Sequence, residues 1–125
     1  MTGSGTPPEI EDWFAGRGWR IRDHQRAMLE ASDRGDHALL VADTGAGKTL
    51  AGFLPTLAAF TPSRLGDLTP PDGLHTIYVS PLKALAQDVA RNLLAPIDEM
   101  GLPIRVETRS GDTSSDRKRR QREKP

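Results

Sequence analysis

A chain of 125 residues is long enough for one compact domain. Its 17 Lys and Arg balance its 17 Asp and Glu, which excludes a protein that coats nucleic acid by bulk charge and leaves room only for a local basic cleft. With no cysteine there is no disulfide framework and no thiolate metal site, and His24, His37 and His75 are scattered without ligand spacing.

Residues 1–8 are Gly, Ser, Thr and Pro with little to bury, and read as a flexible tail. The start "MTGSGTPPEIEDW" lacks the charged head and apolar core of a secretory signal. No apolar run approaches the ~18 residues of a membrane span, so the expected compartment is the cytoplasm, with no membrane partner. Pro7-Pro8 followed by Glu9, Glu11 and Asp12 opens a short helix that ends near Gly16. "GWRIRD" is a loop. Asp23 is placed to cap the helix "HQRAMLEASDRG", whose Ala27, Met28 and Ala31 keep helical spacing and which Gly35 stops.

"HALLVA" (37–42) reads as a buried strand. "GKTLAGFLPTLAAF" (47–60) reads as a helix with Leu50, Phe53, Leu54, Leu57 and Phe60 on one broad face, and Pro55 inside it removes a backbone donor. "TPSRLGDLTPPDGL" (61–74) is a Pro- and Gly-rich surface loop. "HTIYVS" (75–80) is a second strand. The next helix is "LKALAQDVARNLLAPIDEMG" (82–101), with Leu85, Ala86, Val89, Leu93 and Ile97 as its apolar stripe. "PIRVETR" (103–109) is a third strand, and 110–124 is a loop leading into a polar helix. Alternation of strand and helix implies an α/β fold with a parallel sheet, flanked by helices and joined by right-handed crossovers.

The most informative stretch is "VADTGAGKT" (41–49). A glycine turn between a strand and a helix lets the backbone approach a ligand with no Cβ in the way. The amides of Gly45, Ala46, Gly47 and Lys48 can point into one concavity, and the helix adds the positive end of its dipole. Lys48 supplies a charge for β- and γ-phosphates, and the Thr49 hydroxyl is a ligand for Mg²⁺. The usual pattern begins with glycine; here that position is Ala42.

The form Ala42-x-Thr44-Gly45-x-Gly47-Lys48-Thr49 resembles the phosphate loop of superfamily 2 helicases. Three further stretches resemble the DEXH-box class. Gln25 precedes Ala42 by 17 residues; the resemblance gives it the adenine edge, which an amide can meet as both donor and acceptor. "YVSPLKALAQD" (78–88) resembles the second helicase motif, with Ser80, Pro81 and Lys83 at a helix start that can grip nucleic-acid phosphate. "TRSGDTSSDRK" (108–118) resembles a nucleic-acid-binding segment, implying roles for Arg109, Gly111, Asp112 and Thr113. From Trp13 onward the chain resembles the Lhr-type helicases, and among them the bacterial ligase-associated branch. That implies a RecA-like P-loop lobe over residues 9–125 using ATP and Mg²⁺. It also implies a motor on single-stranded DNA, with RNA left open, acting in DNA repair beside a ligase at the nucleoid.

The same resemblance implies an Asp-Glu-x-His motif, whose Glu orients the attacking water. The one Asp-Glu pair, Asp98-Glu99, falls on a helix end with no His two residues on, so the motif is expected beyond Pro125 and the lobe is read as incomplete. No catalytic residue is assigned within 1–125. The basic run Arg117 to Arg120, with Arg122 and Lys124, could meet DNA phosphate, but Asp116 and Glu123 dilute it and it reads first as a solvated helix face. Trp13, Phe14 and Trp19 read first as core. The competing reading is a small P-loop nucleotide-binding or phosphotransfer protein without motor activity. The Ala42 form and "SPLKAL" weigh against it.

Overall fold

The computed structural model describes residues 6–41, 47–70, 72–110 and 113–124. Among the described residues six helices follow in chain order: α1 (Pro8–Gly16), α2 (Asp23–Asp33), α3 (Lys48–Ala59), α4 (Pro62–Leu65), α5 (Lys83–Met100) and α6 (Ser115–Glu123). The part of the expected tail over residues 1–5 lies outside the described residues. Pro7 is buried, and the Thr6 hydroxyl accepts from Arg26 at 3.0 Å.

Each helix boundary has a local cause. Pro8 starts α1, where a missing N–H costs nothing. The chain leaves α1 through Gly18 at φ 71°, while Trp19 N–H returns to the Phe14 carbonyl at 2.9 Å. The cap of α2 is Arg22 rather than Asp23, which is the first helical residue. An Arg side chain has no acceptor, so the capping contact runs the other way: Gln25 Oε1 accepts from the Arg22 backbone N–H at 2.8 Å. Within 61–74 the chain forms one helical turn, α4. Glu9 fixes its start, accepting from the Ser63 backbone N–H at 2.8 Å and the Ser63 hydroxyl at 2.6 Å. α3 continues through Pro55 to Ala59.

The core gathers on α3. Phe53, Leu54, Leu57 and Phe60 meet Ile10 and Phe14 of α1, Ile21, Leu93 and Ile97 of α5, and Leu102. α3 packs chiefly on α2, and α1 packs on α5 and α4. The apolar stripe of α5 is buried only in its second half: Leu93 and Ile97 are inside, whereas Leu85 is exposed.

The expected parallel sheet is not formed among the described residues. No strand occurs among the described residues; 37–41, 75–80 and 103–109 carry no regular hydrogen-bonded structure. A parallel pair is stable when both faces are covered. Here the helices bury their apolar faces on one another and leave these segments bare: Leu39 is 90% exposed, Val41 83% and Val79 84%. An amide facing water gains little by exchanging it for a partner strand without side-chain burial. The segments instead touch the helices through single side chains. Tyr78 meets Phe53 with ring centroids 5.4 Å apart, Thr56 and Thr76 share a 2.7 Å hydrogen bond, and Ile104 and Val106 edge the core.

One polar clasp closes α1 on α5. Arg17 Nη2 donates to both carboxylate oxygens of Glu99, at 2.6 and 2.9 Å, Trp13 Nε1 donates to the same carboxylate at 3.0 Å, and the guanidinium lies over Trp13 and Trp19 at 4.7 and 5.4 Å. The Arg17 and Trp13 hydrogen bonds hold the Glu99 carboxyl below its usual range.

Two outcomes are expected. Leu54, 1% exposed in the centre of the cluster, should cost ~2–5 kcal/mol as Leu54→Ala, measured by urea unfolding; a loss under ~1 kcal/mol would contradict this core. Glu99 has a lowered pKa when folded, so its contribution is fully present above the ordinary carboxylate range and is lost as pH falls below that range through the lowered folded value. Melting temperatures of wild type and Glu99→Gln should therefore differ at pH 7 and converge on acidification, and a gap independent of pH would refute the clasp.

Candidate nucleotide and nucleic-acid site

The stretch expected to hold phosphate, residues 44–49, runs into the N-terminus of α3. Thr44, Gly45 and Ala46 lie outside the described residues. Gly47 caps α3 at φ 77°, a left-handed conformation that glycine adopts without strain. Lys48 and Thr49 follow as the first helical residues, both exposed. An exposed ammonium and hydroxyl at the positive end of a 12-residue helix suit a phosphate with its metal ion.

Gln25 reaches this point from α2. It is 3% exposed, and its Nε2 donates to the Gly47 carbonyl at 3.4 Å while its Oε1 holds the Arg22 N–H. Two expected nucleotide-site residues, 22 positions apart in the chain, are thus in direct contact. The contact leaves no room for a side chain at 47: a Cβ there would stand 2.7 Å from Gln25 Nε2. Both ends of the Gln25 amide are used within the protein, an arrangement that the sequence did not signal beyond the helix-start position of Gln25.

The two expected nucleic-acid stretches are shaped by local turns. Ser80 Oγ accepts from the Leu82 N–H at 3.3 Å and donates to the Leu82 carbonyl at 3.2 Å, turning the chain into α5, where Lys83 is first and exposed. Pro81 is exposed between them. Arg109 is exposed, and Thr113 closes the next turn: its Oγ1 accepts from the Ser110 N–H at 2.9 Å, and its N–H donates to the Ser110 carbonyl at 3.1 Å. Gly111 and Asp112 lie outside the described residues. Ser114 then caps α6, accepting from the Arg117 N–H at 3.2 Å.

Sequence reasoning did not find the polar cluster behind that turn. Glu107 accepts from Arg120, whose hydrogen bond lowers the Glu107 pKa, and Arg105 and Arg117 add to the same field. A recess of about 260 Å³ lies among Val106, Glu107, Thr108, Arg117 and Arg120. The signal lay in the charges of 105–107 facing a basic helix, but only folding shows which cation they meet. Glu99 is likewise taken up in the α1–α5 clasp. No helix among the described residues is long and apolar enough to cross a membrane.

The Gly47 geometry has a measurable consequence. Gly47→Ala adds a left-handed alanine, ~1–2 kcal/mol, and displaces the Gln25 amide. Urea unfolding should show a loss of at least that size, reduced when Gln25→Ala is combined with it; strict additivity of the two would argue against the contact.

The comparisons with known proteins bear on the whole chain. Residues 22–125 match the DEAD/DEAH box helicase family. The chain is 36% identical over 127 aligned residues to ATP-dependent helicase Lhr-Core protein 2 of Thermococcus barophilus, covering 93% of this chain and 14% of that protein. It is 35% identical to ATP-dependent helicase Lhr-Core of Methanothermobacter thermautotrophicus, covering 94% and 15%. It is 34% identical to Lhr helicase/uracil glycosylase of Escherichia coli, covering 85% and 8%. The chain thus spans about one seventh of the length of the first two. No solved structure matches. The match over residues 22–125 decides against a stand-alone phosphotransfer protein, and the chain belongs to the DEAD/DEAH box helicase family and resembles its Lhr-type members.

Proposed function

We propose that this chain is the nucleotide-binding part of an ATP-driven helicase that moves on single-stranded DNA. The observation that carries the reading is the Gln25–Gly47 contact at the start of α3, within a chain matched to the helicase family. Residues 44–49 hold the phosphates of ATP. Lys48 places its charge on the β- and γ-phosphates, and Thr49 with the phosphates would hold Mg²⁺, which supplies neutralisation of charge developing on the transferred phosphoryl. Gln25 turns its amide between the Gly47 carbonyl and the adenine edge. Because Gln25 also holds the start of α2, adenine recognition and the position of α2 are tied together.

Ser80, Pro81 and Lys83 grip one part of the strand and Arg109, Gly111, Asp112 and Thr113 another. Exposed cations at turns that lead into helices are suited to phosphate. The name of the Escherichia coli relative joins a helicase to a uracil glycosylase; glycosylases work on bases, which favours DNA as the strand and repair as the setting. A ligase as pathway partner, and a cytoplasmic place at the nucleoid, follow from the same reading.

The test uses the full-length protein. Charge-assisted hydrogen bonds to phosphate contribute ~1.5–3 kcal/mol, so Lys48→Ala should weaken ATP binding, or slow DNA-stimulated turnover, at least about tenfold. ATP affinity and turnover unchanged in that variant would end the assignment.

A further inference from the structure

The corner around α6 carries more positive charge than its packing uses. Residues 105–124 hold eight Lys and Arg against four Asp and Glu, while residues 1–104 hold nine against thirteen, so a neutral chain is electrically divided. α6 buries no side chain. It is held by one edge: Arg120 Nη1 donates to Glu107 at 3.0 Å, Gln121 Nε2 donates to the Thr108 carbonyl at 3.0 Å, and Arg105 Nη2 donates to the Lys124 carbonyl at 3.0 Å.

None of those contacts uses Lys118, Arg119 or Arg122. Arg122 neighbours both Lys118 (i, i+4) and Arg119 (i, i+3), so the three fall within roughly 100° of the helix circumference, on the side away from Arg120, with half-buried Lys118 at the border with Gln121. Arg119 stands 3.6 Å from Asp116 at a site open to solvent, an ion pair of little strength. Lys118 and Arg122 have no side-chain hydrogen bond or ion pair among the described residues. Like charges at this spacing repel and disfavour the helix. The fold gains nothing from them in isolation, whereas a polyanion laid along the face would reverse the sign of that interaction.

We propose that Lys118, Arg119 and Arg122 form a phosphate-binding stripe for the backbone of a single-stranded nucleic acid, extending the path beyond Thr113. α6 is joined to that turn through the Ser114 cap, so the stripe is continuous with it. Contacts of this kind position a strand without reading its bases. The inference rests on the nucleic-acid reading above.

The experiment measures binding of the full-length protein to oligo(dT) and oligo(U) across a salt series. Lys118→Gln, Arg119→Gln and Arg122→Gln are introduced singly, in pairs and together; glutamine keeps helix propensity. Each lost contact should reduce the slope of log affinity against log salt by ~0.7, and all three by ~2. The charge-retaining set Lys118→Arg, Arg119→Lys, Arg122→Lys should restore the wild-type slope. A reduction on oligo(dT) alone names DNA as the occupant, one on oligo(U) alone names RNA, and either supports the stripe. Wild-type slopes in the triple Gln protein on both polymers overturn the stripe while leaving the Ser80–Lys83 path standing. Failure of the wild-type protein to bind either polymer at low salt overturns both.

Discussion

The burial of one face of α3 positions nearly everything else. Phe53, Leu54, Leu57 and Phe60 take core places supplied by α1, α5 and the approach to α2, and each such side chain contributes ~1.5–3 kcal/mol when fully buried. A helix fixed along its length has a fixed N-terminus. That brings Gly47 against Gln25 and leaves Lys48 and Thr49 facing solvent. The exposed N-terminus of α3 is therefore a consequence of its apolar side, though the two share no residues.

Polar contacts then decide how the outer elements sit. Glu9 fixes α4, Arg64 pairs with Asp33 between α4 and α2, and Glu99 joins α5 to α1. Exposed pairs of this sort are individually weak, yet Glu99 accepts from a guanidinium nitrogen through both oxygens and from an indole, while that guanidinium lies over two indole rings. α6 is the limiting case, an element with no buried side chain, held through Arg120 on Glu107, Gln121 on the Thr108 carbonyl and the Lys124 carbonyl on Arg105. Such an element can shift at small cost, which suits a surface that meets a charged strand.

The apolar segments 37–41 and 75–80 show what pattern alone leaves open. "HALLV" and "HTIYV" have the composition of buried strands. In the structure Leu39, Val41 and Val79 face solvent, because the apolar faces of the helices are turned toward α3 and toward each other. Strand composition states a preference for a covered, paired surface. It does not supply the cover.

By itself the sequence located most of the helices and pointed to the family. Apolar spacing located α1, α2, α3 and α5 within a residue or two, since helical period is a local property of side-chain order. The string from Ala42 to Thr49 pointed to the helicase family, which the match over residues 22–125 bears out, because the order of residue types in such a string is itself a local property. Tertiary structure decided the rest: that Gln25 touches Gly47, that Glu99 meets Arg17 and Trp13, and that residues 37–41, 75–80 and 103–109 stay unpaired among the described residues. Those outcomes depend on partners distant in the chain, 86 residues for Trp13 and Glu99. A side chain's order in sequence fixes its own helix, but which surface it meets is settled only when the apolar faces have chosen one another.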